Sequence, residues 1–344
     1  MNSTMQRLLL AGAVGAGAAL AIRTWVRSRR WFNYLGKVAV ITGGSRGLGL
    51  VLARQLVAAG ARVVLCARSP EDLQRAAAEL QAAGGQVLAI PCDVRDADEV
   101  RQMVAEVISQ WGTIDLLFSV AGVIEVGPLD AMTLDDFHNS LQPTCWGALH
   151  TTLAVLPEMR RKGWGRIVNV ASIGGKRAVP HMLPYAASKF ALVGLSTGLR
   201  AELAPEGILV TTVCPGLMRT GSPRNAIFKG QHRKEYAWFS IGDSLPLVSM
   251  SAESAAGKIL LACQRGQGEV LIGSTMMRLQ ALAPALTAQL TEVMARLLPQ
   301  MGGIGRRAAR GFESSSAWSP SWLTYLGDQA AERNNELRTA RHPK

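Results

Sequence analysis

The stretch from Lys37 to Gly60 constrains the fold of this chain more than any other. Lys37-Val38-Ala39-Val40-Ile41 is a short apolar, β-branched run that reads as a buried strand. It leads directly into Thr42-Gly43-Gly44-Ser45-Arg46-Gly47-Leu48-Gly49. An apolar helical pattern follows from Leu50 to Ala59 and ends at Gly60. A strand that turns through glycines into a helix places a pyrophosphate against helix N-terminal amides. Glycine is needed where backbone must approach phosphate closely or take positive φ. A glycine-rich βα turn with no ligand has the same spelling, so the loop alone leaves both readings open.

The chain continues in the same rhythm. Apolar strands alternate with helical patterns from Lys37 to about Ile272. Strands are expected at 37–42, 62–67, 86–90, 114–119, 166–171, 208–213 and 269–272. Helices are expected at 47–59, 70–83, 96–111, 133–162, 184–204 and 251–264. This predicts an α/β fold: a single Rossmann-like, doubly wound parallel sheet with helices on both faces. No internal repeat beyond the alternation is visible, and a hydrophobic content of 48% is ample for a core.

The candidate chemistry lies later. Tyr185 and Lys189 are one helical turn apart in Pro184-Tyr185-Ala186-Ala187-Ser188-Lys189, and Ser172 is thirteen residues upstream of Tyr185. A free phenol, with a pKa near ~10, exchanges protons poorly at neutral pH, and a nearby cation lowers it. A hydroxyl such as Ser172 is suited to hold a carbonyl oxygen. Two surface residues often fall at a four-residue spacing, so the pair means little without its context.

In that context the chain resembles the short-chain dehydrogenase/reductase family over roughly residues 36 to 275. Thr42, Gly43, Gly47 and Gly49 match its Thr-Gly-x-x-x-Gly-x-Gly, and Tyr185 and Lys189 match its Tyr-x-x-x-Lys. Ile167 to Ser172 matches the strand that ends in the catalytic serine. Asp93-Val94 matches the pair that contacts adenine, and Pro215-Gly216 with Thr220 matches the turn and threonine near the nicotinamide carboxamide. The resemblance implies a cofactor site of Thr42, Gly43, Ser45, Arg46, Gly47, Leu48, Gly49, Arg68, Asp93, Val94, Ala121, Gly122, Tyr185, Lys189, Pro215, Gly216 and Thr220. It also implies an alcohol–carbonyl oxidoreductase in which Ser172 bonds the carbonyl and Tyr185 gives the proton. Lys189 then tunes Tyr185 and binds the nicotinamide ribose.

Two landmarks depart from the family pattern. Asn-Asn-Ala-Gly is replaced by Ser119-Val120-Ala121-Gly122, and the relay asparagine by Thr144, which follows Pro143. Threonine offers a hydroxyl of shorter reach, and the proline is expected to distort the helix. Thr144 therefore joins Ser172, Tyr185 and Lys189 as a candidate catalytic residue. Asn169, His138 and His150 read as structural; His181, in the substrate loop, is the one histidine to watch.

The second strand ends in Ala67-Arg68, where NAD-preferring relatives usually place an acid, and Arg46 lies in the glycine loop. Two guanidinium groups beside the ribose favour a 2′-phosphate, so the expected cofactor is NADP(H). A non-catalytic NADP(H)-binding sensor or scaffold on the same fold is the alternative, since fold does not fix function.

Composition bounds the remaining choices. The five cysteines, Cys66, Cys92, Cys145, Cys214 and Cys263, lack metal or redox spacing and read as reduced, small apolar residues. The net charge of +12 is no nucleic-acid signal, because no aromatic-basic motif interrupts the pattern. Six positive charges and no acid lie in the first 37 residues, around an uninterrupted apolar run from Leu8 to Ile22. Extended to residues 8–26, this run is a marginal single membrane anchor with the following domain facing the cytoplasm. A cleaved signal peptide, an amphipathic segment and a soluble cytoplasmic protein are the rival readings. Residues 1–35 thus form an anchor and basic flank, 36–275 the dehydrogenase/reductase domain, and 276–344 an extension.

In the extension, Met276 to Met301 is apolar enough for a packed helix, a homo-oligomer seam, a substrate lid or a membrane contact. The polar remainder carries Trp318, Trp322 and Tyr325, so parts of it are expected to dock, with a loose end of about ten residues. The loop after Pro215-Gly216 mixes Arg219, Arg224, Lys229, Arg233 and Lys234 with Ile227, Phe228, Trp238 and Phe239. That mixture suggests a hydrophobic, lipid-like carbonyl or alcohol substrate (a sterol, retinoid or long-chain keto compound) taken at a membrane surface.

Overall fold

Seven strands form one sheet in the computed structural model, which describes residues 30–246, 248–273, 284–299 and 307–337. They are β1 (Val38–Thr42), β2 (Arg62–Ala67), β3 (Val87–Pro91), β4 (Leu116–Ser119), β5 (Gly165–Val170), β6 (Ile208–Pro215) and β7 (Glu269–Ile272). Their order is β7-β6-β5-β4-β1-β2-β3, and every neighbouring pair is parallel. All residues of β1, β5 and β6 are buried, as continuous apolar runs must be when helices cover both faces. The strand order reverses between β1 and β4. In a sheet of this kind, ligands bind at the carboxyl ends beside that reversal.

The helices are α1 (Gly47–Ala58), α2 (Pro70–Ala82), α3 (Ala97–Trp111), α4 (Leu134–Leu141), α5 (Gly147–Lys162), α6 (Leu183–Leu203), α7 (His232–Ser244), α8 (Ala252–Gln264), α9 (Pro284–Leu297) and α10 (Tyr325–Arg333). Leu50, Leu52 and Leu56 of α1 and Ile259 of α8 pack with Ile41 and Leu65 on one face of the sheet. Met103 and Val107 of α3 and Val155 and Met159 of α5 pack with Val40, Val64 and Ile167 on the other. Each fully buried Leu or Ile contributes roughly 2 kcal/mol. Ser69 and Asp96 fix where α2 and α3 begin, by accepting from the amides of Asp72 and of Asp98 and Glu99.

The single helix expected over 133–162 is instead two helices. A π-helical turn, Gln142–Trp146, separates α4 from α5. Pro143 in this turn lacks an N–H and crowds the carbonyl four residues back, which favours the wider π turn over a regular α-helix there.

The two ends of the chain meet the sheet differently. Arg166 at the start of β5 donates to Arg30 O at 3.1 Å and lies over the rings of Phe32 and Trp164. Residues 30–34 therefore pack at the amino ends of the strands, opposite the carboxyl ends. The expected anchor, residues 8–26, lies outside the described residues; among the described ones, no helix is long and apolar enough to cross a membrane.

The extension joins the loop after β6. Residues 309–310 pair antiparallel with Ile227–Phe228. Parts of the extension dock, though not through its aromatic residues: Trp318, Trp322 and Tyr325 are exposed, while Ala330, Ala331, Asn334 and Glu336 are buried. Small and polar residues fit the narrow seam between α10 and the loop, where an indole would not. Residues 335–337 of the expected loose end are placed; 338–344 lie outside the described residues.

Candidate active site

A cleft of about 610 Å³ opens at the carboxyl ends of β1, β2, β3 and β4. The glycine loop from Gly43 to Gly49 forms one wall, and Tyr185 and Lys189 of α6 stand in it. Arg68, Asp93, Val94, Ala121, Gly122 and Thr220 also line it. These are the residues that follow strand ends, which is why a parallel sheet gathers them from distant positions in the chain. Thr42, Pro215 and Gly216 stand behind the wall. Thr42 Oγ1 accepts from the amides of Val120 and Ala121 at 3.1 and 3.3 Å, tying the end of β1 to the turn after β4. The amide of Gly216 donates to Ile272 O.

The catalytic candidates converge from two elements. Pro184 sits in the first turn of α6, where its missing N–H has no helical partner to lose. Tyr185 and Lys189 then project one turn apart. Ser172 follows β5 and opens a tight 3₁₀ turn over Ile173–Gly175, with its Oγ accepting from Gly174 N at 3.0 Å. This turn lies hard against α6: a methyl added at Gly175 would sit 2.5 Å from Lys189 O. The two elements are thereby locked together, and a Cβ added at Gly174 would lie 3.1 Å from Tyr185 Cε1 and 3.4 Å from Ser172 Oγ, so the hydroxyl stands beside the phenol ring.

Electrostatics depart from the sequence expectation. Tyr185 is half-buried by surface area, yet dense surroundings desolvate its phenol and push it up to about 12. The Ser172 hydrogen bond opposes this shift, while the charge of Asp243 reinforces it. Burial pushes Lys189 down to about 8. Its Nζ donates to Val170 O at 2.9 Å and lies 5.7 Å from the Tyr185 ring centre. Desolvation thus sets the direction of the Tyr185 shift, in place of the expected lowering by Lys189.

Thr144 enters the same space. Its Oγ1 is buried without a hydrogen-bond partner among the described residues. A methyl added at Gly122 would lie 3.2 Å from that oxygen and 3.5 Å from Lys189 Nζ. The π turn therefore brings the buried Thr144 hydroxyl close behind Gly122, near Lys189. Other candidates stay apart. Asn169 donates to Ser196 Oγ, His150 Nδ1 meets Val94 O at 3.0 Å, and His138 is exposed. His181 Nδ1 meets the buried Glu235 carboxylate at 2.8 Å, in a left-handed backbone conformation (φ 63°). It reads as a structural pair.

Sequence reasoning missed Asp243 and Glu336. Asp243 accepts from Met218 N at 3.2 Å, and its Oδ2 has no hydrogen-bond partner among the described residues. Burial raises it from 3.8 to about 7. Between those values the folded protein binds more protons than the unfolded chain, so this group lowers stability as pH rises from about 4 to 7. Asp243→Asn keeps the Oδ1 acceptor and removes the charge. Above pH 7 it should be more stable than wild type by on the order of 1 kcal/mol, with the gain shrinking toward pH 4. Denaturant unfolding at pH 5 and pH 8 checks this; a difference independent of pH would refute it.

The cleft fits a dinucleotide. A glycine cradle faces a helix N-terminus, guanidiniums stand near the end of β2, and the unpartnered Thr144 hydroxyl lies behind Gly122. Such a fold and site define a nicotinamide-dependent oxidoreductase. The match of residues 37–227 to the family described as short chain dehydrogenase makes the assignment specific: the chain belongs to that family. It is an oxidoreductase acting on alcohol and carbonyl groups, on a fold that binds NAD(P).

Relatives agree. A "Putative ketoacyl reductase" of Streptomyces coelicolor is 39% identical over 186 residues, covering 54% of this chain and 71% of that protein. "Dehydrogenase/reductase SDR family member 7B" of Bos taurus is 31% identical over 306 residues, covering 86% and 92%. The crystal structure of L-sorbose reductase from Gluconobacter frateurii, complexed with NADPH and L-sorbose, superposes with a TM-score of 0.63 at 26% identity. That match covers 70% of this chain and 97% of the other.

Proposed function

We propose that this protein is an NADP(H)-dependent reductase/dehydrogenase of a hydrophobic, lipid-like carbonyl or alcohol. The observation that carries the catalytic reading is the convergence of Ser172, Tyr185 and Lys189 beside the glycine-lined cleft. The bound cofactor supplies or accepts a hydride. Ser172 donates a hydrogen bond to the substrate carbonyl oxygen. Tyr185, kept protonated by its buried setting, gives that oxygen its proton. Lys189 holds the ribose side of the site and supplies positive charge next to the phenol. Thr144 offers its free hydroxyl to a proton-relay water beneath Gly122.

Arg46 and Arg68, both in the cleft wall, support NADP(H) over NAD(H). Two features support an apolar substrate. Tyr185 packs on a cluster of Val126, Met182, Phe228 and Phe239. Beyond it, α9 exposes Leu286, Leu290, Val293 and Leu297, and its Thr291 is bonded by Arg177 from the segment between Ser172 and Tyr185. An apolar stripe thus flanks the catalytic end of the sheet, and it is the proposed membrane-facing or homo-oligomer surface. We place the catalytic machinery within 36–275 and a membrane anchor at 8–26. Residues 30–34, which follow that stretch in the chain, lie at the ends of the strands opposite the cleft. Access for a lipid is therefore assigned to the α9 side.

The test uses purified full-length protein with NADPH or NADH and carbonyls graded from small and polar to long-chain. Turnover should require a nicotinamide cofactor, favour NADPH and rise with chain length. Ser172→Ala should lower kcat by about 10²-fold, the scale of a lost oxyanion-type hydrogen bond. The intact protein should sediment with membranes, and removal of residues 1–30 should release it. Cofactor binding without turnover of any carbonyl would favour the sensor reading; turnover of small polar carbonyls alone would end the lipid reading.

A further inference from the structure

The segment after α10 crosses the mouth of the cofactor cleft. Gly47 N, at the first turn of α1, donates to Asn334 O at 2.8 Å. Asn335 Nδ2 donates to Ser45 O at 2.9 Å. On the opposite lip, Asn334 Nδ2 reaches Thr220 O at 3.4 Å, and Asn225 Nδ2 donates to Glu336 O at 2.9 Å. Residues 334–336 therefore strap the glycine loop to the loop after β6, and Glu336 itself lines the cleft.

The Glu336 carboxylate is where a phosphate-binding loop would least be expected to hold one. It is only 5% exposed, and its Oε1 would lie 2.6 Å from a methyl added at Gly47. Its Oε2 lies 3.5 Å from Arg46 Nε and accepts from Asn225 Nδ2. Arg46 also faces Asp72 at 3.8 Å. The guanidinium assigned to a 2′-phosphate thus already serves two carboxylates.

We propose that Glu336 is a cofactor-specificity residue, competing with a 2′-phosphate for Arg46. The proposal rests on the reading of Arg46 as the 2′-phosphate partner. A 2′-phosphate that recruits Arg46 strips Glu336 of its counter-ion and leaves a buried carboxylate held by Asn225 alone, which is unfavourable. It also brings a dianion near two carboxylates, a like-charge juxtaposition. NAD(H), with a ribose hydroxyl in that place, triggers neither effect. Burial already pushes the Glu336 carboxyl up, with Asp72 adding to the shift and Arg46 opposing it, so the charge of Glu336 depends on Arg46. The strap consequently penalises the phosphorylated cofactor and narrows the preference that Arg46 and Arg68 create.

Fluorescence titration of the full-length protein with NADPH and with NADH tests this without relying on turnover. Glu336→Gln keeps the shape and the acceptor for Asn225 but removes the charge. It should tighten NADPH about five- to tenfold and change NADH less than about twofold, on the scale of a near-surface charge contact. Glu336→Asp, which retains the charge, should keep the wild-type ratio within about twofold. In an Arg46→Ala background, Glu336→Gln should alter NADPH affinity clearly less than in wild type, since only the like-charge effect remains. Equal shifts for both cofactors would show that the strap is merely structural and overturn the proposal. So would weaker NADPH binding, or an effect of full size in the Arg46→Ala background. A wild-type preference for NADH would instead refute the NADP(H) reading above; the change of ratio on Glu336→Gln would still decide the role of Glu336.

Discussion

Tyr185→Phe will lower kcat by about 10³-fold or more while leaving cofactor affinity within about twofold, the pattern of a group needed only in the transition state. The ring stays, so its packing against Val126, Met182 and Phe228 is preserved. The lost atom is the phenol hydroxyl, on the ring that stands beside Ser172 Oγ. Without it, the substrate oxygen has no positioned proton donor at the moment it gains charge. Binding should survive, because the glycine loop, Arg68 and Asp93 line the cleft independently of that oxygen. The measurement is a kcat and Kd pair on one preparation. Wild-type turnover on an accepted carbonyl would remove Tyr185 from the chemistry, and a parallel collapse of cofactor affinity would show damage to the site.

The second large effect is structural. Gly49→Ala should abolish tight cofactor binding, weakening Kd by at least about 10²-fold, or prevent folding altogether, because overpacking against backbone has no rotamer to relieve it. A Cβ there would lie 2.2 Å from Gly43 O and 2.9 Å from Gly43 C. Neither atom belongs to a side chain that can turn aside. The first turn of α1 must therefore retreat from the end of β1, which opens the cradle at the point where amides meet a phosphate. Gly194→Ala is the matched control: it is also helical, but a Cβ there meets no atom within 4 Å. Unchanged melting temperature and Kd for Gly49→Ala would contradict the close packing described for the loop.

Some parts of the site were legible because local chemistry fixes them. Continuous β-branched runs such as Arg62–Ala67 are buried on both sheet faces, and that strand was placed at its observed bounds. Once strands and crossovers are in order, residues after strand ends must gather at one edge of a parallel sheet. This is how Gly43, Arg68, Asp93, Gly122 and Lys189 could be named from spacing and resemblance before the structure placed them in one cleft. Pro143 announced a distorted helix, but only the structure showed that the distortion is a π turn that buries the Thr144 hydroxyl.

The direction of the Tyr185 shift was misjudged for a related reason. A Tyr-x-x-x-Lys spacing reveals that a cation is near, whereas the opposing desolvation depends on everything packed around the phenol. Asp243, which adds to that shift, had no motif to mark it.

The sequence by itself determined the doubly wound sheet and the glycine loop, and with the family resemblance it named Ser172, Tyr185 and Lys189 as candidates. Each is encoded by short-range pattern: alternation, turn chemistry and helical spacing. The tertiary structure alone decided that Asn334, Asn335 and Glu336 close over the glycine loop. Asn335 and Ser45 meet across 290 residues of chain. Polar contacts over such a distance leave no periodicity in the sequence, because their partners are chosen by how the extension packs on an already folded core.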